Sequence, residues 1–473
     1  MENNDLFDFE LNEAEGCWSV TGYYGRSEEV VFPASYEGKS VKTIGAEVFF
    51  NNRRINRIII PESYTSIGEM AFFSCTGLTE INLPKNLASV GNAAFYRCTG
   101  LTKIKFLENL TSIGGSAFEK CTGLTNIKLP ESLTFIGDSA FENCTGLAEI
   151  ALPDGLTSIG DLTFYCCTGL TNITLPESLT SIKVSAFQNC TGLTKIKFPE
   201  RLSSIGEWAF ADCTGLTEIN LPESLTSIKN EAFYGCTGLI EIKLPKGLTS
   251  INSSTFGDCT GLAEISIDEN NPVFRAVDGV VFDKDMTTLI WFPDGKKGKY
   301  SVPEGIIAIS SFAFNNCKLT GLTFPQSLLY IEDFEFNNER LEDITVNELN
   351  PNYCNIDGVL FNKEKSLLLR YPKNKEEIDY AVPDGVLEIT PFAFYSCKRL
   401  VNIVLPENIR FIHEYMFAGC ERLKTVTLPL SLQYIAERAF TDCPNLETVT
   451  LSRKTRIGHK ALEGFKGELV YRD

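Results

Sequence analysis

"CTGLTNIKLPESLTFIGDSAFEN" runs from Cys121 to Asn143, and nearly the same words begin again at Cys144. Cysteines stand at 75, 98, 121, 144, 167, 190, 213, 236 and 259, each 23 residues after the last, and Asn52 takes the same slot one period earlier. The ladder resumes at Cys317 and again at Cys397, Cys420 and Cys443. The shared phrase is C-T-G-L-T-x-I-x-L-P-x-x-L-T-S-I-G-x-x-A-F-x-x. One such unit is too short to bury its own apolar face, and stacking on its neighbours solves the problem.

A period in the twenties with leucine or isoleucine at fixed offsets predicts a leucine-rich-repeat solenoid. Within the quoted unit, Leu124, Ile127 and Leu129 end in an apolar-in, polar-out alternation that suits a half-buried strand. Pro130 stops that strand because it has no N–H to give to a continuing ladder. Leu133 and Ile136 begin a second short extended piece, Gly137 turns the chain, and "DSAFEN" is expected to form a single helical or 3₁₀ turn that sinks Ala140 and Phe141 inward. The fold class expected is therefore a β-rich, right-handed repeat solenoid with short parallel strands, short helical or 3₁₀ turns and about sixteen coils.

Coils stacked roughly 4.8 Å apart place equivalent side chains above one another, and a column of buried thiols packs well there. Thirteen of the sixteen cysteines lie in this column, and Cys17, Cys166 and Cys354 lie outside it, Cys166 being the one expected at the surface. Every column thiol has two equivalent neighbours, with no C-x-x-C clip and no nearby histidine, so free buried thiols are expected rather than disulfides or a metal ladder.

Two segments break the rhythm. Residues 270–295 (NNPVFRAVDGVVFDKDMTTLIWFPDG) match residues 350–372 (NPNYCNIDGVLFNKEKSLLLRYP) at an offset of 79, which aligns Asn271 with Asn350 and Asp278-Gly279 with Asp357-Gly358. Both read as strand, tight turn, strand: β-hairpin coils built into the stack. "DKD" at 283–285 lacks the rest of a calcium loop and reads as a solvated tip. The expected organisation is an N-terminal cap and first coil over 1–44, regular repeats over 45–267, a hairpin island over 268–300, repeats over 301–346, a second island over 347–380, and repeats with a C-terminal cap over 381–473. With no linker-like stretch between them, these pieces read as one continuous solenoid domain.

The phrase "LTSIGxxAFxxCTGLTxIxLP", together with the "NPxFxxxDGVVF" islands, resembles the BspA-like, or treponemal-type, leucine-rich repeat family from about Val30 to about Val470. That resemblance implies a bacterial or protozoal surface or secreted protein that takes part in adhesion to host matrix or to other microbes. The opening MENNDLFDFELNEAEG is acidic and has no apolar h-region, so it does not read as a secretory signal. An intracellular scaffold, or delivery without a conventional signal, is the alternative reading.

A formal charge of -18 argues against nucleic acid and anionic lipid as partners, and no apolar run is long enough for a spanning helix. The two histidines, His413 and His459, have no serine or cysteine context that suggests a nucleophile and its base, and "DGKKGKY" at 294–300 lacks P-loop spacing. No enzyme, cofactor or metal is expected. What remains is surface, and a protein partner, an extracellular-matrix or cell-surface protein in the first instance. On the long strand the outward positions are the two x's of T-x-I-x-L, and the candidate partner-binding set there is Arg57, Lys103, Lys105, Lys128, Lys195, Lys197, Glu218, Glu241 and Lys243. After the strand proline, Glu62, Glu131, Asp154, Glu177, Glu200 and Glu223, joined by Glu108, form an acidic rim broken by Lys85 and Lys246, which is expected to be solvated.

Overall fold

The computed structural model describes residues 4–332 and 337–472. It is a β-solenoid with almost no helix, divided into two compact units: residues 1–262 with 266–273, and residues 263–265 with 274–473. Together the units contain about 20 turns rather than sixteen.

In the first unit most regular coils give one three-residue strand and one two-residue strand, such as Asn126–Lys128 and Phe135–Ile136. Strands pair in parallel with the coil 23 residues on, without slippage: Ile127 opposite Ile150, Ile150 opposite Ile173, Ile159 opposite Ile182. The central isoleucine of each long strand is buried and its two neighbours are exposed. After Pro130 the chain turns, the Leu133 N–H donating to the Pro130 carbonyl at 3.1 Å. Gly123 is required by proximity, since a Cβ there would lie 2.6 Å from the Thr99 carbonyl oxygen of the coil before.

The A-F segment departs from expectation in most coils. A 3₁₀ turn forms at Ser253–Phe256, where Asn252 caps it. Elsewhere the backbone makes two linked turns, each closed by a left-handed residue: φ is +57° at Ser139 and +58° at Asn143. Those reversals let alternate N–H groups point along the stack. Ser139, Phe141 and Asn143 donate to Asp161, Thr163 and Tyr165 of the next coil at 2.8, 3.0 and 2.7 Å, while Ala140, Glu142 and Cys144 close local turns. Leu162 and Trp208 hold the same conformation with φ +56° and +55°. A side chain there costs roughly 1–2 kcal/mol, and the hydrogen bond to the next coil offsets it.

The cysteine column has a specific task. In the regular repeats each thiol donates to the carbonyl of the phenylalanine 26 residues before it: Cys121 to Phe95 at 3.0 Å, Cys144 to Phe118 and Cys167 to Phe141 at 3.1 Å, whereas Cys317 donates to Phe314, three residues before it, at 3.1 Å. The same carbonyl also accepts its own coil's cysteine N–H, as Phe118 does from Cys121 at 3.1 Å. A small, weakly donating side chain with no desolvation burden fits this enclosed site. All sixteen cysteines are free thiols, and only Cys166 and Cys354 are partly exposed. Burial pushes the Cys75 and Cys144 thiols up to about 12. Beside the thiols, ten phenylalanines from Phe49 to Phe256 stack ring on ring at 5.1–5.6 Å.

The N-terminal segment covers the first coil. Phe7–Asn12 pairs antiparallel with Cys17–Tyr23, which in turn pairs in parallel with Lys39–Ile44 and so starts the solenoid. Phe9 stacks on Tyr36 at 4.0 Å, and Trp18 meets the same ring edge-on at 5.0 Å.

In the second unit both islands are three-stranded meanders: Phe274–Val277, Val280–Asp283 and Thr288–Trp291, then Tyr353–Ile356, Val359–Asn362 and Leu367–Arg370. The first hairpins turn at Asp278-Gly279 and Asp357-Gly358, where both residues of each pair have positive φ, as a two-residue turn matched to strand twist requires. Asp283 is occupied by its own loop, accepting from the Thr287 N–H at 2.7 Å and the Thr288 N–H at 2.8 Å. Burial alone would raise its pKa, but these hydrogen bonds outweigh burial and hold it below the usual carboxylate range. Asn350 is fully buried; its Nδ2 donates to the Pro325 and Leu328 carbonyls, both at 2.8 Å, and its Oδ1 accepts from Asn352 and Tyr353. Asn271 does the equivalent in the first unit, with Pro245 and Leu248. The asparagine that opens each island is a clamp on the chain before it.

Candidate interaction face

All nine candidate residues are exposed on the long-strand face of the first unit. Their order follows from strict register: Arg57 opposes Glu80, Glu80 opposes Lys103, Lys195 opposes Glu218, and Asn220 opposes Lys243. The face is consequently more evenly mixed in sign than a count of lysines suggests. Arg57 also lies 3.7 Å from Glu29, and Lys243 lies 4.0 Å from Asp268. Solvent screens pairs of this kind, so the side chains can be recruited by a partner at little cost.

The long-strand ladder is interrupted between Lys103–Lys105 and Asn126–Lys128, and again between Asn172–Thr174 and Lys195–Lys197. A shallow groove lies at each interruption. One, of about 400 Å³, brings together Lys195, Lys197 and Glu218 with Asn172, Thr174 and Glu177. The other, of about 460 Å³, gathers Lys128 with Glu131, Glu149, Asn172 and Thr174. Asn172 and Thr174 border both, making one depression continuous across several coils. Arg57, Lys103, Lys105, Glu241 and Lys243 line neither groove. Asn172 and Thr174, which flank Ile173, and the rim carboxylates Glu131 and Glu177, which follow the strand proline, line these grooves beside the candidate residues.

Every member of the acidic rim is exposed. Glu62 has a backbone task as well, accepting the Lys85 N–H at 2.8 Å through Oε2. Among the described residues no group of three His, Cys, Asp or Glu side chains is placed to hold a metal. His413 Nε2 faces Glu388 at 3.9 Å in the second unit. Among the described residues no helix is long and apolar enough to cross a membrane.

The model of the BspA type leucine rich repeat region matches residues 42–171, 157–277, 296–382 and 373–468. A leucine-rich repeat protein from Bacteroides ovatus is 25% identical over 99% of both chains, with a TM-score of 0.54. The T. pallidum leucine-rich repeat protein is 31% identical over 40% of this chain and 89% of its own, with a TM-score of 0.39. A leucine-rich cell surface protein from Faecalibacterium prausnitzii is 24% identical over 95% of this chain and 94% of its own, with a TM-score of 0.38. No curated protein matches. Repeats of this kind are scaffolds that present a surface to other proteins and are generally not enzymes. The chain belongs to the BspA-type leucine-rich repeat family.

Proposed function

We propose that the protein works in adhesion or recognition, binding a host or microbial surface protein through the long-strand face of its first unit. The observation that carries this reading is the depression around Asn172 and Thr174, where side chains free of core duty converge with both signs of charge. A curved, multi-coil surface suits a large partner, and mixed charges select for a complementary one while contributing modestly to affinity.

The test is a paired pull-down with the purified chain and a variant carrying Lys103→Glu, Lys105→Glu, Lys195→Glu and Lys197→Glu. Extracellular-matrix proteins form one set of baits and source-cell lysate the other. Matrix binding in the parent that falls about tenfold or more in the variant is expected. Equal binding by both chains would sink the assignment of this face.

A second reading, an intracellular scaffold, draws on the sixteen free thiols, which fit a reducing compartment. A lysate partner in the absence of matrix binding would favour it.

A further inference from the structure

The short-strand face changes character between the two units. In the first unit the outward slot of T-S-I is serine in coil after coil, as at Ser66, Ser89, Ser112, Ser158 and Ser181, with Phe135 the exception. In the second unit the slot is held by Ala308, Tyr330 and Glu388 and then, in the last three short strands Phe411–Ile412, Tyr434–Ile435 and Arg456–Ile457, by Phe411, Tyr434 and Arg456, paired in register on successive rungs. Phe411 is 49% exposed, Tyr434 39% and the adjacent Leu430 43%. Scattered exposed apolar side chains need no explanation, but these three line one groove of about 630 Å³ with Gln433, Lys454 and Arg456.

The charge here runs against the rest of the chain. Residues 453–460, RKTRIGHK, contain four lysines or arginines and no acid, in a protein of net charge -18. Neither Lys454 nor Arg456 forms an ion pair with another described residue. The nearby carboxylates are engaged at the margin: Glu407 Oε2 accepts the Leu430 N–H at 3.0 Å, and Glu388 faces His413. Aromatic rings beside unpaired cations are the composition that dominates binding energy at protein interfaces, and their sign fixes the partner.

We propose that this groove is a second docking site, distinct from the long-strand face, and that it takes an acidic peptide segment carrying apolar side chains. Phe411, Leu430 and Tyr434 cover the apolar side chains, while Lys454 and Arg456 meet the carboxylates. A flexible acidic segment gains from a preformed groove because only the peptide pays an ordering cost.

The experiment uses the full chain and a fluorescein-labelled peptide alternating aspartate and leucine, with its lysine–leucine counterpart and dextran sulfate as comparisons. The aspartate peptide should bind, the lysine peptide should not, and added salt should weaken binding about tenfold. Phe411→Ser with Tyr434→Ser, which installs the residue that most first-unit coils carry, should weaken it about tenfold, as should Lys454→Glu with Arg456→Glu. Phe135→Ser, at the same slot of the first unit, should leave it unchanged. Melting curves matching the parent's confirm that each variant is folded, and any variant that melts early is replaced by Phe411→Leu with Tyr434→Leu, expected to bind less tightly by a smaller factor. Equal binding of the two peptides overturns the proposal, as does parent-like affinity in either double variant. Dextran sulfate binding without peptide binding would overturn it in favour of an acidic polysaccharide. None of these outcomes depends on the four-lysine variant, so this site and the long-strand face stand or fall separately.

Discussion

Alkylation of the native protein should leave Cys144 about three orders of magnitude slower than an ordinary thiol. At pH 8 a thiol with pKa about 12, as at Cys144, is ionised to about one part in 10⁴, whereas an ordinary thiol is ionised to about one part in ten. The thiolate is the nucleophile, so chemistry alone slows Cys144 by about 10³-fold, before the enclosure of its sulfur is considered. Cys166 and Cys354 are partly exposed, and although burial raises both, they should be the first modified. A pulse of iodoacetamide followed by peptide mass spectrometry reads the order directly. After unfolding in denaturant all sixteen should react at comparable rates. If Cys144 is modified in the native state within tenfold of Cys166, the buried-donor account is wrong. A mass two units light before reduction would be equally damaging, because it would show a disulfide where the structure has free thiols donating to phenylalanine carbonyls.

Alkaline pH should destabilise the fold through the same column. Cys75, Cys144, Cys317 and Cys443 are each pushed up to about 12 by burial. Their contribution is fully present below the unfolded-state value near 9 and is lost as pH rises toward 12, at up to about 1.4 kcal/mol per pH unit for each thiol. Denaturation midpoints measured from pH 7 to pH 10.5 should fall steadily above pH 9, and a flat profile would count against the buried thiols. Asn350→Ala should cost about 2–3 kcal/mol, since it leaves the Pro325 and Leu328 carbonyls and the Tyr353 N–H without their side-chain partners. Chemical denaturation followed by circular dichroism would measure it, and a loss below about 0.5 kcal/mol would show that water replaces the clamp.

Much of this architecture is legible because its causes are local and repeated. Ile127 between Asn126 and Lys128 states which side of the strand faces the core, and Pro130 states where the strand stops. Asp278-Gly279 and Asp357-Gly358 announce their turns, since few other dipeptides tolerate two positive φ angles. The left-handed positions were harder to see. Asn143 and Asp212 hint at them, but Leu162 and Trp208 occupy the same conformation under compulsion from the neighbouring coil, and nothing local in their sequence says so. The thiol-to-carbonyl bond was hidden for a related reason: donor and acceptor stand 26 residues apart, one period plus three, so it follows from coil geometry rather than from any motif. On the interaction face the outward positions could be read from alternation. The grooves could not, because they arise where the strand ladder is interrupted, and no single repeat announces the interruption.

The strict register has a consequence for how such a chain can change its length. Within the regular repeats the recurring bonds that join one coil to the next connect residues a fixed number of positions apart: Ile127 with Ile150, Ser139 with Asp161, Cys144 with Phe118. Excising 23 consecutive residues anywhere between Cys75 and Cys259 therefore restores all of those partnerships, with equivalent side chains on both sides of the junction. Coding segments this alike invite misaligned recombination, and the product would arrive already folded, one storey shorter or taller. The same accident elsewhere in a protein usually destroys it. Here it would lengthen or shorten the exposed frontage while leaving both ends intact, so lineages can adjust reach in whole steps without redesigning a core.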